Sequence, residues 1–477
     1  MENFYYSAIY DAIREPTTDE VKSVTLKRLK AKIIRLNSAH KQAIQVDVGE
    51  RDSLRGQEPS LHHLLQGRKR KTQRTILHAY DKNGNLKTTT VDILRIFTEH
   101  MQHKYDSIHT SEESMRRLLE CGLRAIPEGA NAALEEPITT DELTDAVKQG
   151  KPHKAPGRDG ICLEFYKKPW ETIKQGLLDV MNDMYRERQI TDRQKHGIIV
   201  CIPIKAQPTR PEDYRPLTLL NTDYNLLIRI IANRLRPWLT DILHPVQHCG
   251  IPGTTVFEAL ATIRDAVAYA EVTGTPLCLL SIDFKETFDN ISHDYLSAIL
   301  RQHGFSEHFR RRIKNIYSSA TSAVQINCFR SKPIPIKNSV RQGCPMSMLL
   351  YAICLNPLLS TLDRHLSGLG IWRGRARTSV IAYADDVTIL VTSPSDIQKI
   401  QDAIQCYEER TGAKLNTGKS RAVAIRSWDT SLRIMDIPYH NEATILGLHI
   451  TSTVQASALR SWTLTTARIR ARAQEAY

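Results

Sequence analysis

Ser379-Val380-Ile381-Ala382-Tyr383-Ala384-Asp385-Asp386-Val387-Thr388-Ile389-Leu390-Val391 is the stretch on which the reading of this chain turns. Two short, apolar, β-branched runs flank an acidic pair. Each run has the length and composition of a buried strand, and the pair falls at the turn between them. Carboxylates this close raise each other's pKa, and a bound divalent cation reverses that penalty. The pair therefore predicts a metal site that needs a third carboxylate from elsewhere. Leu277-Cys278-Leu279-Leu280-Ser281-Ile282 is a second buried-strand run, and it ends in Asp283. A strand carrying Asp283 beside a hairpin carrying Asp385 and Asp386 predicts three carboxylates clustered across neighbouring strands. Oxygen-only ligands suit Mg2+, which keeps waters and binds substrate phosphates alongside one or two carboxylates. Two such ions about 3.5–4 Å apart stabilise the attacking and leaving oxygens of phosphoryl transfer.

Composition points to a polyanionic partner. The 477 residues carry a formal charge of +13, with 41% hydrophobic and 25% charged residues. That is an ordinary globular balance with a basic surplus suited to nucleic acid. The longest apolar stretch, Cys344 to Leu359, is interrupted by Pro345, Ser347, Asn356 and Pro357. It is too short and too broken to span a bilayer, so no membrane partner is expected. No signal-peptide pattern opens the chain. The nine cysteines are scattered without a C-x-x-C pair, which predicts neither a disulfide framework nor a zinc ribbon. His62-His63 and His248-Cys249 lack the converging partners of a metal site. These features fit a reducing intracellular compartment, the nucleus and cytoplasm.

Residues 1–140 read as a helical, basic extension. Thr17 and Glu20 make a capping-box pattern, and Leu26, Leu29, Ile33 and Leu36 follow at helical spacing among basic residues. That stripe suits a packed face, and the basic side suits either solvent or a nucleic-acid backbone. Arg68-Lys69-Arg70-Lys71 has the composition of a nuclear-localisation or nucleic-acid patch, and equally of a solvated loop. Asn83-Gly84 predicts a hairpin turn, and Val91 to Tyr105 an amphipathic helix. A second capping box, Thr139 to Glu142, opens a helix expected to end near Gly150. Lys151 to Gly160 is basic and turn-rich, Ile198 to Ile204 predicts a strand, and Tyr224 to Leu243 a helix. Ser292 caps a helix that Gly304 ends. Arg341-Gln342-Gly343-Cys344-Pro345 stands between the two acidic motifs. Gly343 permits close backbone approach to a ligand, Gln342 offers donor and acceptor, and Pro345 is placed to open a helix.

In their order along the chain these blocks resemble the reverse transcriptases of non-LTR (LINE-type) retrotransposons. The resemblance runs from about Asp141 to Ile450. It rests on Lys154 to Ile161 with Glu164-Phe165-Tyr166, on Ile202 to Lys205 with Tyr214 to Asn221, and on Gln247 to Gly253. It continues through Asp283 to Asp289, Val340 to Pro345, Tyr383 to Asp386, Gly412 to Asn416 with Lys419-Ser420, and Ile445-Leu446-Gly447. A lone Y-x-D-D is moderately specific; the ordered set is far more so.

The resemblance implies roles residue by residue. Asp283, Asp385 and Asp386 match the catalytic, metal-binding carboxylates, with Asp386 contributing more to electrostatics than to coordination. Phe284 would lend its backbone carbonyl to a metal. Phe288 matches the aromatic gate that excludes a 2′-hydroxyl, although a core Phe fits the residue type too. Lys205 and Arg215 match groups that hold the triphosphate, and the guanidinium suits bidentate phosphate recognition. Gln342 and Gly343 would line the nucleotide pocket. Lys419 matches a lysine that protonates departing pyrophosphate, where a solvated Lys is the plain alternative. Leu446-Gly447 would form a turn on the primer strand. Thr287, Met348, Arg158 and Gly253-Thr254 depart from the usual pattern, and Thr287, beside the gate, bears most on nucleotide fit.

The expected fold is α/β (α+β): a right-hand polymerase with an antiparallel palm sheet, fingers from about 141–275 and 305–340, a helical N-terminal extension and a partial thumb. The expected division is 1–140 extension, 141–450 fingers and palm, and 451–477 the start of an incomplete thumb. The expected activity is RNA-directed DNA synthesis from dNTPs on an RNA template and DNA primer, with two Mg2+ ions, or Mn2+ in their place. The family's upstream endonuclease and downstream cysteine/histidine knuckle are not read here, which suits a piece of a larger protein. One rival is an impaired retroelement fragment that only binds nucleic acid. Another is a different palm-type polymerase or cyclase, which would lack the ordered flanking blocks.

Overall fold

In the computed structural model, residues 75–106, 122–152, 154–187, 190–285, 287–370 and 377–476 are described. Leu277–Ile282 is an inner strand of a four-stranded antiparallel sheet, ordered Val380–Tyr383, Asp386–Val391, Leu277–Ile282, Arg421–Ile425. Both faces of this sheet are apolar, which is why its strands read as continuous hydrophobic runs. Cys278, Leu280, Ile282, Val387 and Ile389 join one buried cluster with Tyr295, Leu350 and Tyr407, from helices His293–Gln302, Ser347–His365 and Ser395–Thr411. Leu277, Leu279, Ile381, Leu390 and Val423 join another with Ala259, Ile263 and Ala266 of helix Val256–Thr273. The period-2 alternation of the strands assigns successive residues to the two clusters.

A second, mixed sheet runs Tyr214–Leu219, Gly197–Pro203, Thr321–Ile326, Phe329–Arg330, with Ile334–Pro335 also pairing Thr321–Ile326. Gly197–Pro203 and Thr321–Ile326 are parallel, and this pairing joins segments far apart in sequence. Helix Thr90–Lys104 packs on Thr321–Ile326, and the Phe97 ring meets Tyr214 edge-on at 5.2 Å. Leu77–Tyr477 form one compact unit. The helix read from sequence as part of an extension reaching 140 is therefore built into the same body as both sheets.

Local signals place many elements. The Thr139–Glu142 capping box opens Thr140–Gln149, with Gly150 as its C-cap, and Ser292 caps His293–Gln302. Asn83-Gly84 lies in the turn between Ala79–Tyr80 and Leu86–Lys87. Two expectations shift. The helix predicted over 224–243 ends at Leu235 and resumes as a 3-10 turn, Arg236–Trp238, and a short helix, Leu239–Ile242. Pro237 lacks the N–H that a continuing ladder needs. Pro345 does not open the next helix, which runs Ser347–His365 from N-cap Met346. The helix at Thr17–Glu20, the stripe from Leu26, His62-His63 and the basic run at Arg68 lie outside the described residues.

Candidate active site at the acidic hairpin

Tyr383 pairs with Asp386, so Ala384-Asp385 is a two-residue turn. Ala384 holds φ +57°, a left-handed conformation that only Gly adopts without steric cost. Val387 is opposite Ile282, which puts Asp386 opposite Asp283 one step further. Directly opposed positions of an antiparallel pair have Cβ atoms about 5 Å apart. The three carboxylates thus share one end of the sheet and act on each other. Burial pushes the Asp385 carboxyl up and the charge of Asp283 adds to it, against its own backbone N–H and Arg215. Asp386, although exposed as a whole residue, is pushed up to about 6 by partial desolvation of its carboxyl and by the charges of Asp385 and Asp283. Among the described residues no three His, Cys, Asp or Glu side chains converge as a ready-made metal cage. The three-carboxylate cage expected from sequence is thus not formed as such; a Mg2+ ion here would draw on one or two of these carboxylates and complete its shell with water and substrate oxygens. All-oxygen donors under mutual repulsion fit a hard divalent cation.

A loop holds Asp283 from the other side. Asn416 Nδ2 donates to Asp283 Oδ2 at 2.9 Å, and Asn416 N–H to the Asp283 carbonyl at 2.8 Å. Asp283 N–H donates to Ser420 Oγ at 3.1 Å. Exposed Lys419 lies in this loop, its N–H bonded to the Asn416 carbonyl at 3.0 Å. Phe284 is buried, with its ring 5.3 Å from Tyr407. Its carbonyl accepts from Thr287 Oγ1 at 3.2 Å, so Thr287 engages the very oxygen read from sequence as a metal ligand.

Phe288 stacks obliquely on Tyr351, centroids 5.0 Å apart. Beside it Asp289 is 1% exposed and is bound by Gln342 Nε2 at 3.0 Å, Lys104 Nζ at 3.0 Å and Tyr105 OH at 3.2 Å. Gly343 holds φ +108°, and a Cβ there would stand 2.4 Å from the Thr218 carbonyl oxygen. The close approach it permits is therefore to strand Tyr214–Leu219. Arg341 is an anchor: it is 2% exposed, and Nη1 donates to the Lys195 carbonyl at 2.6 Å and Nη2 to Tyr224 OH at 2.5 Å.

Arg215 pairs with Ile202 at the far end of its strand, and its charge reaches Asp385. Lys205, just beyond that end, is ion-paired to Asp213 at 2.6 Å. The Asp213 carboxyl sits below its usual range: burial would raise it, but Lys205 and the Thr209 and Arg210 N–H groups outweigh burial. Leu446 and Gly447 both take positive φ, +50° and +85°, as a tight hairpin turn requires. The structure thus gathers Asp283, Asp385, Asp386 and the Lys419 loop at one sheet end, within reach of Arg215. Asn416, Ser420, Asp289 and Gln247 are site-building residues that sequence reasoning passed over. All four stand in blocks that carry the resemblance, none with an assigned role, because their partners are distant in sequence.

Residues 195–450, more than half the chain, match the family described as reverse transcriptase (RNA-dependent DNA polymerase). An uncharacterised 149 kDa protein of transposon TX1 from Xenopus laevis is 32% identical over 63% of this chain and 23% of its own length. A Pol polyprotein of the type-1 retrotransposable element R2 from Popillia japonica is 25% identical over 61% of this chain and 40% of its own. The RNA-directed DNA polymerase from the mobile element jockey of Drosophila funebris is 24% identical over 69% and 36%. The matched part is thus well under half of each relative. Among the described residues no helix is long and apolar enough to cross a membrane.

Proposed function

The chain belongs to the reverse transcriptase (RNA-dependent DNA polymerase) family, and we propose that it extends a DNA primer on an RNA template. In this reading the primer 3′-hydroxyl attacks the α-phosphate of a dNTP and pyrophosphate leaves. The observation that carries it is that Asp283 and Asp386 directly follow and precede the paired Ile282 and Val387 of adjacent strands, with Asp385 in the adjoining turn and the three carboxyls acting on one another. The antiparallel sheet would be the palm, the mixed sheet the fingers, and helix Val454–Ala476 the start of a thumb. The 1–140 segment would be an extension whose helix Thr90–Lys104 reaches the pocket through Asp289.

Asp283 and Asp385, with the Phe284 carbonyl, would hold divalent cations, two Mg2+ or Mn2+, and Asp386 would supply field. When bound, such ions stabilise charge on the attacking and leaving oxygens. The chain's own work is positioning and charge complementarity. Arg215 would meet the triphosphate beside Asp385, and Lys205 would join it on leaving Asp213. Phe288, braced by Tyr351, would lie under the sugar. Asp289 would fix the Gln342 amide against the base-pair pocket, with Gly343 behind it. Exposed Lys419, carried on the loop that clasps Asp283, would donate a proton to departing pyrophosphate. The basic surplus would hold the RNA–DNA duplex by its phosphates.

Primer extension on an RNA template with Mg2+ tests this, comparing the chain with Asp283→Asn. Extension that the substitution abolishes supports the reading. Duplex binding without extension would instead leave a nucleic-acid-binding fragment, and extension only on DNA templates would indicate another polymerase.

A further inference from the structure

We propose that Gln247 is a positioning residue that holds the acidic turn in register; this deepens the proposed function and rests on Asp385 acting as a metal ligand. The side chain is 1% exposed and faces the backbone of the turn, 137 residues away in sequence. Its Oε1 accepts from the Ala384 N–H at 2.9 Å and from the Cys249 N–H at 3.0 Å. Its Nε2 donates to the Ala384 carbonyl at 3.3 Å. One amide therefore satisfies both main-chain groups of the residue that precedes Asp385.

The surroundings make this a built device. Ala382 N–H donates to the Val246 carbonyl at 2.9 Å and His248 N–H to the Ala382 carbonyl at 2.8 Å. Gln247 thus forms a parallel bridge with Ala382 along the hairpin edge. Ala384 sits at φ +57°. Ala has no side chain with which to hold that conformation, and its Cβ opposes it. A strained turn persists only where its surroundings over-determine it, and here the amide clamp does so. Relaxation of Ala384 would rotate the next residue, Asp385, away from Asp283.

A comparator lies in the same segment. Asn356, also 1% exposed, accepts from the His244 N–H at 2.6 Å and donates to the Ile242 carbonyl at 3.1 Å. It is an equally buried side-chain-to-backbone bridge that does not touch the turn. Gln247→Met keeps length and volume while removing all three bonds; Asn356→Leu removes both bonds at the comparator; Gln247→Glu keeps the acceptor alone.

The experiment measures Mn2+ binding to the full chain by EPR without substrates, hydrogen exchange at the Ala384 amide, and kcat and KM for dNTP. For Q247M we expect Mn2+ affinity and kcat each down about 10-fold, as for lost supports of metal ligands, faster Ala384 exchange, and KM within about twofold. Q247E recovers part of the loss, and N356L lowers the melting temperature but binds Mn2+ like the unmutated chain. Wild-type Mn2+ affinity in folded Q247M, Q247E no better than Q247M, or an equal loss in N356L would overturn the inference. Rapid exchange at Ala384 in the unmutated chain would overturn it without any variant. Asp283→Asn separates the premises: if that variant keeps Mn2+ binding and extension, the proposed function fails. If it loses both while Q247M stays normal, only the role of Gln247 falls.

Discussion

Replacing Asp386 by Asn is expected to stabilise the metal-free protein at neutral pH while impairing synthesis. The Asp386 carboxyl is lifted from 3.8 to about 6, first by desolvation and then by Asp385 and Asp283. A raised carboxyl means that the folded chain holds this proton more tightly than the unfolded one. Its favourable contribution is full below the unfolded value, near 3.8, and is lost as pH rises through about 6. The shift of about two units corresponds to about 3 kcal/mol at face value. Asp386 is exposed, and solvent screening reduces that to about 1 kcal/mol. Asp386→Asn removes the charge and should raise the melting temperature at pH 8 in EDTA by about 1–2 °C, given the size of the unit. At pH 4 the two proteins should melt together. Saturating Mg2+ should close the gap at pH 8 by stabilising the acidic form more. Calorimetry across pH, with and without Mg2+, makes the comparison. Destabilisation at pH 8, or an equal gain at pH 4, would refute the idea that these carboxylates repel one another when no cation is bound.

Phe288→Val should admit ribonucleotides, raising rNTP use relative to dNTP by about 10-fold or more, since a missing steric contact is worth about 1–3 kcal/mol; unchanged discrimination would show that Phe288 is only a core residue packed on Tyr351. Thr287→Ala removes the hydroxyl from the Phe284 carbonyl and should lower the Mg2+ concentration needed for half-maximal extension; a higher requirement would count against that carbonyl as a ligand. Arg341→Ala strips partners from Lys195, Tyr224 and Ile316 carbonyl or hydroxyl groups and should cost about 3–5 kcal/mol in urea unfolding, where a loss below about 1 kcal/mol would contradict its role as an anchor.

What the chain declares locally, its sequence displays. The run 277–282 is apolar at every position but one because both faces of its sheet are covered, and the turn at 384–385 is announced by its flanking strands. Helix caps act within four residues, so the Thr139 capping box and the Ser292 N-cap are legible in the sequence. What depends on distant partners was not. Gln247 looks like any polar residue until the fold brings it to Ala384. Asp289 closes a quoted block without a role of its own, and its partners come from helix 90–104 and from Gln342. Gly343 reads as a point of close approach to a ligand, whereas the neighbour that requires a glycine there is the Thr218 backbone. Lys205 carries the charge expected of it, and Asp213 holds that charge in this state. A periodic pattern likewise could not show that the helix at 90–104 packs on strand Thr321–Ile326.

The most direct test is anomalous diffraction from Mn2+ in crystals of the chain with an RNA–DNA primer-template and a non-reactive dNTP analogue. Manganese peaks lying between the carboxylates of Asp283 and Asp385, against the triphosphate, are the predicted result. Manganese elsewhere, with those two side chains turned apart, would contradict it.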